Sequence, residues 1–173
     1  QVELFRMLGR AEIDVAITYD MEIPIDVHFE ALISLAPHVM LPMDHPMSAQ
    51  PDISLKELEP EPMVLLDLPL SRDYFLSALR DADVSPYIAE RSTDLSVVRS
   101  LVANGFGYSL VNIGAAMTYA PDGQELAIIP IREAIRPVTL GLATKQTIQR
   151  SGIIEAFFTH VRDRITQEGL LPD

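Results

Sequence analysis

Apolar positions along the chain follow two rhythms, one helical and one extended. In VELFRMLGRA (2–11) Val2, Phe5 and Leu8 share a helical face, and IDVAIT (13–18) follows as a buried strand. FEALISL (29–35) and HVMLPM (38–43) read as two extended segments broken at Pro37, and DHPMSAQPD (44–52) is rich in turn residues. Ser54 with Glu57 three residues on makes a capping box, which predicts a short helix over 54–59. MVLL (63–66) is a buried strand. Ser71 precedes the stripe Phe75, Leu76 and Leu79, so the pattern predicts a helix capped at Ser71. YIAE (87–90) is a short strand, and Ser92 or Thr93 caps a helix running through DLSVVRSLVA. YSLVNI (108–113), LAIIPI (126–131) and VTLGLAT (138–144) are further strands, with a turn at PDGQE (121–125). A closing helix runs from Ser151 with Ile154, Phe157, Phe158, Val161 and Ile165 in one stripe. Strands alternating with helices predict an α/β fold with mainly parallel pairing.

SLVANGFGYSLVN (100–112) carries a G-x-G that invites comparison with a phosphate-binding loop. A dinucleotide fingerprint needs strand, glycines, then helix, so that the pyrophosphate meets the helix N-terminus. Here the order is inverted, and Leu110 occupies the place of the third glycine. Gly105 stands where a left-handed C-cap belongs and Gly107 opens a strand, so the pair reads as a joint.

Composition narrows the chemistry. The chain has 173 residues, 48% of them apolar, enough for one ordinary domain or two small lobes. A net charge of −12 would repel a polyanion, so contact with DNA is expected only through another domain. The absence of cysteine excludes disulfides, thiolate zinc sites and cysteine nucleophiles, and it fits a cytoplasmic protein. No long apolar run points to a membrane. The four histidines, His28, His38, His45 and His160, form no H-x-x-x-H pair, and neither G-x-S-x-G nor S-x-x-K occurs, so no metal, cofactor or catalytic residue is expected. His45 reads as a turn residue, Asp14 as an exposed or capping carboxylate, and Arg162, Asp163 and Arg164 as a solvated helix face. Arg72, Arg91 and Arg99 stand apart, because two of them adjoin helix starts where backbone amides already favour anions.

LGRAEIDVAI (8–17), HVMLPMDHPM (38–47), ISLKELEPEPMVLL (53–66), LVANGFGYSLVN (101–112) and VTLGLAT with the amphipathic helix after it resemble, in order and spacing, the effector-binding domain of LysR-type transcriptional regulators. The resemblance implies a two-lobed α/β fold like the type 2 periplasmic binding proteins, with two crossover strands, HVMLP and VTLGLA. The first lobe is expected at 1–41 plus 138–173 and the second at 42–137. The family's N-terminal winged helix-turn-helix, linker helix and start of the first lobe have no counterpart in this sequence. The chain, which opens on Gln1 inside an amphipathic pattern, is therefore expected to be a stretch of a longer protein.

In that family a small molecule binds between the lobes and changes how a tetramer grips DNA. Carried over by position, the second-lobe wall is DLPLSR, with Leu68, Pro69, Ser71 and Arg72, and the other helix start is RSTD, with Arg91, Ser92 and Thr93. Thr18 and Tyr19 represent the first lobe. Hydroxyls and backbone amides with an arginine beside them suit a carboxylate, so the expected effector is a small anionic metabolite. A homodimer through this domain is implied as well. Two alternatives stay open: a solute-binding protein of a transporter, which would carry an export leader, and an enzyme on a related two-lobed fold, which would need a convergent acid, base or nucleophile set.

Overall fold

A computed structural model describes residues 1–112, 118–146 and 151–167. The chain divides into two compact units, Gln1–Leu35 with the chain from Pro137 onward, and Ala36–Arg136.

The first unit is built on α1 (Val2–Gly9), β1 (Ala16–Tyr19), β2 (Val27–Leu35), β8 (Val138–Lys145) and α4 (Gly152–Gln167). Its sheet has the order β1-β8-β2, and both ladders are antiparallel. Leu8 of α1 packs against Ala16 and Ala143, with Phe5, Val27 and Phe29 beside them. The stripe predicted on α4 is only partly buried: Phe158 is inaccessible, whereas Phe157 is 40% exposed. Arg162, Asp163 and Arg164 are exposed, as read, and Arg162 also pairs with Glu30 of β2 at 3.0 Å. Asp14 is exposed, as read.

The second unit holds β3 (His38–Pro42), a 3-10 turn (Leu55–Leu58), β4 (Pro62–Leu66), α2 (Pro69–Asp81), β5 (Tyr87–Ser92), α3 (Leu95–Ala103), β6 (Ser109–Val111) and β7 (Leu126–Pro130). β6-β3-β7 are antiparallel, β4 and β5 are parallel, and a bridge between Met63 and Tyr108 links the two groups. Period-two alternation makes these strands apolar on both faces. Val39, Leu41, Met63, Leu65 and Leu110 meet Phe75 and Leu79 of α2, while Met40, Val64, Leu66 and Val111 meet Val98 and Val102 of α3. A sheet between two helical layers results.

Four expectations change. Among the described residues four of the five ladders are antiparallel, so the expectation of mainly parallel pairing is corrected. Among the described residues β4-α2-β5 is the crossover that supplies the one parallel ladder, and the bridge of Met63 to Tyr108, which the chain reaches through α3, is parallel as well. The units divide at 35/36 and 136/137 rather than at 41/42 and 137/138, because β3 pairs with β6 and β7, and β8 with β1 and β2. The α2 cap is Leu68 and not Ser71, since Pro69 at the first helical position brings a helical φ and has no amide to satisfy. The α3 cap is Asp94 rather than Ser92 or Thr93: its carboxylate accepts from the Ser96 amide, and Ser92 completes β5.

Other local signals hold. The Ser54–Glu57 capping box is present, and His45 sits in a turn where its Nδ1 accepts from the Met47 amide. Gly105, at φ +79°, ends α3 in a Schellman arrangement: its amide bonds the Val102 carbonyl and that of Phe106 the Leu101 carbonyl. Gly107 lies at φ +140°, and a Cβ there would stand 2.1 Å from the Pro62 carbonyl oxygen. The G-x-G is thus a joint that lets Tyr108 reach β4. Gly107→Ala is expected to lower unfolding free energy by at least about 2 kcal/mol, and Gly105→Ala by about 1 kcal/mol. Urea denaturation of both variants checks this, and equal losses would contradict it.

Candidate functional site

The parallel pair positions the candidate site. Leu66 and Ser92 stand opposite each other at the carboxyl ends of β4 and β5, and the Asp67 amide extends the ladder by bonding the Ser92 carbonyl at 2.8 Å. Beyond Asp67 the chain turns directly into α2. Open α/β sheets receive ligands at this edge, where loops and helix N-termini gather.

The two helix starts differ. Leu68 offers no side-chain acceptor to the first turn of α2, and the Arg72 amide is the first to bond back, to the Leu68 carbonyl at 2.7 Å. The amides of Leu70 and Ser71 therefore have no capping side chain, which leaves the positive end of the helix open. At α3 the Asp94 carboxylate already occupies that role, 2.7 Å from the Ser96 amide. Ser92 spends its hydroxyl on the Asp94 backbone, accepting from the amide at 3.1 Å and donating to the carbonyl at 3.3 Å. Thr93 is exposed and Ser71 half-buried.

Asp67 organises the charges. It accepts from Arg72 Nη1 at 3.0 Å and from Arg91 Nη1 at 3.5 Å. Arg72 also donates to Asp73 through Nε at 3.0 Å, and its hydrogen bonds to Asp73 and Asp67 hold its guanidinium pKa above the ordinary value. Two cations thus meet two carboxylates in one patch. Leu68 and Pro69 are exposed beside it. Sequence reading included Asp67 in the wall segment without giving it a role. The signal was an acid five residues before an arginine across a strand-to-helix corner.

Arg99, the third arginine set apart, lies on α3 with its Nε buried and without a hydrogen-bond partner among the described residues. Burial also raises the pKa of the Tyr108 hydroxyl, which has no partner there either. In the first unit Thr18 is buried on β1 opposite Gly141, and Tyr19, 37% exposed, stands opposite Leu140. The end of that strand is fixed by Asp20, whose carboxylate accepts from the Thr139 amide at 2.7 Å. The described residues contain no group of three or more acidic, histidine or cysteine side chains able to hold a metal, and no helix long and apolar enough to cross a membrane.

The family model of the LysR substrate binding domain matches residues 1–166. The chain belongs to this family. Among solved structures, the LysR regulator HinK of Pseudomonas aeruginosa is 30% identical and superposes with a TM-score of 0.88 over 95% of this chain and 57% of its own. The C-terminal domain of a probable LysR regulator from Rhodococcus sp. RHA1 is 29% identical with a TM-score of 0.87, over 93% of this chain and 80% of its own. The HTH-type transcriptional regulator TtuA of Agrobacterium vitis is 32% identical over 78 residues, 43% of this chain and 26% of that protein. The curated relatives are thus matched over 26% and 32% of their lengths. The LysR family carries the two-lobed, type 2 periplasmic-binding-protein-like fold, as the resemblance implied.

Within the second unit of this LysR domain, the structure brings Leu68, Pro69, Ser71, Arg72, Arg91, Ser92 and Thr93 to one edge around Asp67. The α3 start is the exception, because it caps itself. Asp94→Ala is therefore expected to cost about 1 kcal/mol of stability, and Thr93→Ala less than about 0.5 kcal/mol. Thermal unfolding of the two variants decides, and the reverse order would restore Thr93 as the cap.

Proposed function

We propose that this chain is the ligand-sensing domain of a LysR-type transcriptional regulator, and that a small anionic metabolite binds at the carboxyl edge of β4 and β5. The observation that carries the reading is the uncapped start of α2 with Arg72 and Arg91 beside it, in a chain that belongs to the LysR family. Backbone amides and guanidinium groups together recognise carboxylates by charge-assisted hydrogen bonds. Ser71, Ser92 and Thr93 add hydroxyls, Leu68 and Pro69 an apolar wall, and Thr18 and Tyr19 are proposed as ligand-binding residues of the first unit. The role is sensing and involves no catalysis, cofactor or metal.

Binding then controls transcription in the cytoplasm through a separate DNA-binding domain of the full-length protein, a tetramer, because a chain of net charge −12 does not itself hold DNA. A homodimer through this domain belongs to the same proposal. It is supported by an apolar groove of about 420 Å3 on α3, lined by Val97, Leu101 and Phe106, of which Val97 and Phe106 are about half exposed.

A thermal-shift screen of small carboxylates, aromatic acids, amino acids and neutral metabolites tests the reading. A ligand at a hundred times its Kd stabilises by about 2.7 kcal/mol, which shifts the Tm of a chain this size by roughly 5–10 °C. The shift is expected to disappear in Arg72→Ala and in Arg91→Ala. A ligand retained by both variants contradicts the site, a ligand consumed during the assay points to an enzyme, and a monomer in sedimentation velocity contradicts the dimer.

A further inference from the structure

The two arginines of the proposed site are both paired with acids of this chain. Arg72, from the first turn of α2, and Arg91, from the end of β5, converge on one carboxylate, that of Asp67, at 3.0 and 3.5 Å. Asp67 is the least exposed member of the trio, at 25% against 36% and 53%. Its backbone is held independently, by the amide bond to the Ser92 carbonyl. Asp73, the second partner of Arg72, is 69% exposed and faces solvent.

We propose that Asp67 is the internal counter-ion of the site: its carboxylate holds Arg72 and Arg91 where an effector's anion would, and an anionic effector binds by displacing it. This rests on the reading of the α2 start as the effector site. The consequence concerns specificity. With two guanidiniums and two carboxylates the patch carries no net charge, so an incoming anion gains little from long-range attraction. Once displaced, the Asp67 carboxylate lies beside the ligand's own anion, and like charges a few ångströms apart repel. The repulsion is smallest for a singly charged ligand that also donates a hydrogen bond, from a hydroxyl or an ammonium, to the freed carboxylate. A bare dianion has no such donor and is disfavoured. Asp67 thereby selects a hydroxy- or amino-carboxylate over a multiply charged anion.

Inorganic phosphate at pH 8, where it is mostly a dianion, is the probe. By isothermal titration, Asp67→Asn is expected to bind it at least about tenfold more tightly than the parent chain. Asn keeps the volume and the backbone bond, so the fold is retained. The gain is expected to vanish in Asp67→Asn with Arg91→Ala, and Asp73→Asn, which removes the same charge from the solvent side, is expected to show none. Phosphate binding that is equal, or equally absent, in parent and Asp67→Asn overturns the proposal, as does an equal gain in Asp73→Asn, which would reduce the effect to net charge. If the arginine variants lose a screened ligand while Asp67→Asn gains nothing for phosphate, the counter-ion role alone falls. If both arginine variants keep that ligand, the site reading falls and takes this proposal with it.

Discussion

A sheet that is apolar on both faces has to be covered on both, and in the second unit this requirement places the candidate site. β4 carries Met63 and Leu65 toward one layer and Val64 and Leu66 toward the other, so it is buried along its length. The crossover from β4 through α2 to β5 satisfies one face, and α3 satisfies the other. Because β4 and β5 run the same way, their carboxyl ends coincide, and both following helices start at one edge. The candidate edge is a by-product of covering the sheet. The glycine joint serves the same end, since the close approach at Gly107 lets Tyr108 bridge β4 to the antiparallel half of the sheet.

Electrostatics then distinguish two helix starts that the topology treats alike. α3 supplies its own carboxylate at Asp94, whereas α2 begins on Leu68-Pro69 and supplies none from its cap. The nearest carboxylate, Asp67, faces the arginines instead of the helix amides. An exposed ion pair of this kind contributes little to stability, on the order of 1 kcal/mol or less. Its arrangement is better understood as setting the charge of the edge than as holding the fold together.

Much of this was legible in the sequence where the signal is local. The Ser54–Glu57 box, the Gly105 cap and the buried strand MVLL depend on neighbours within a few residues, and they appear as read. Helix starts were less legible because several residues satisfy the same rule: Ser71 and Pro69 compete at α2, and Ser92, Thr93 and Asp94 at α3. Ladder direction was misread, because β8 pairs with β1 and β2 from more than a hundred residues away, and nothing local encodes that. The family resemblance pointed to the candidate edge, but the pairing of Arg72 and Arg91 with one acid is set by the meeting of β4, β5 and α2 and has no local signal.

The most direct test of the central claim is a 1H–15N NMR titration of the chain with any ligand that stabilises it. The account predicts that the largest amide shifts fall on Leu70, Ser71 and Arg72 at the start of α2, with Asp67 beside them. Shifts confined to Ser96 and Val97 at α3, or to residues away from the β4–β5 edge, would contradict it.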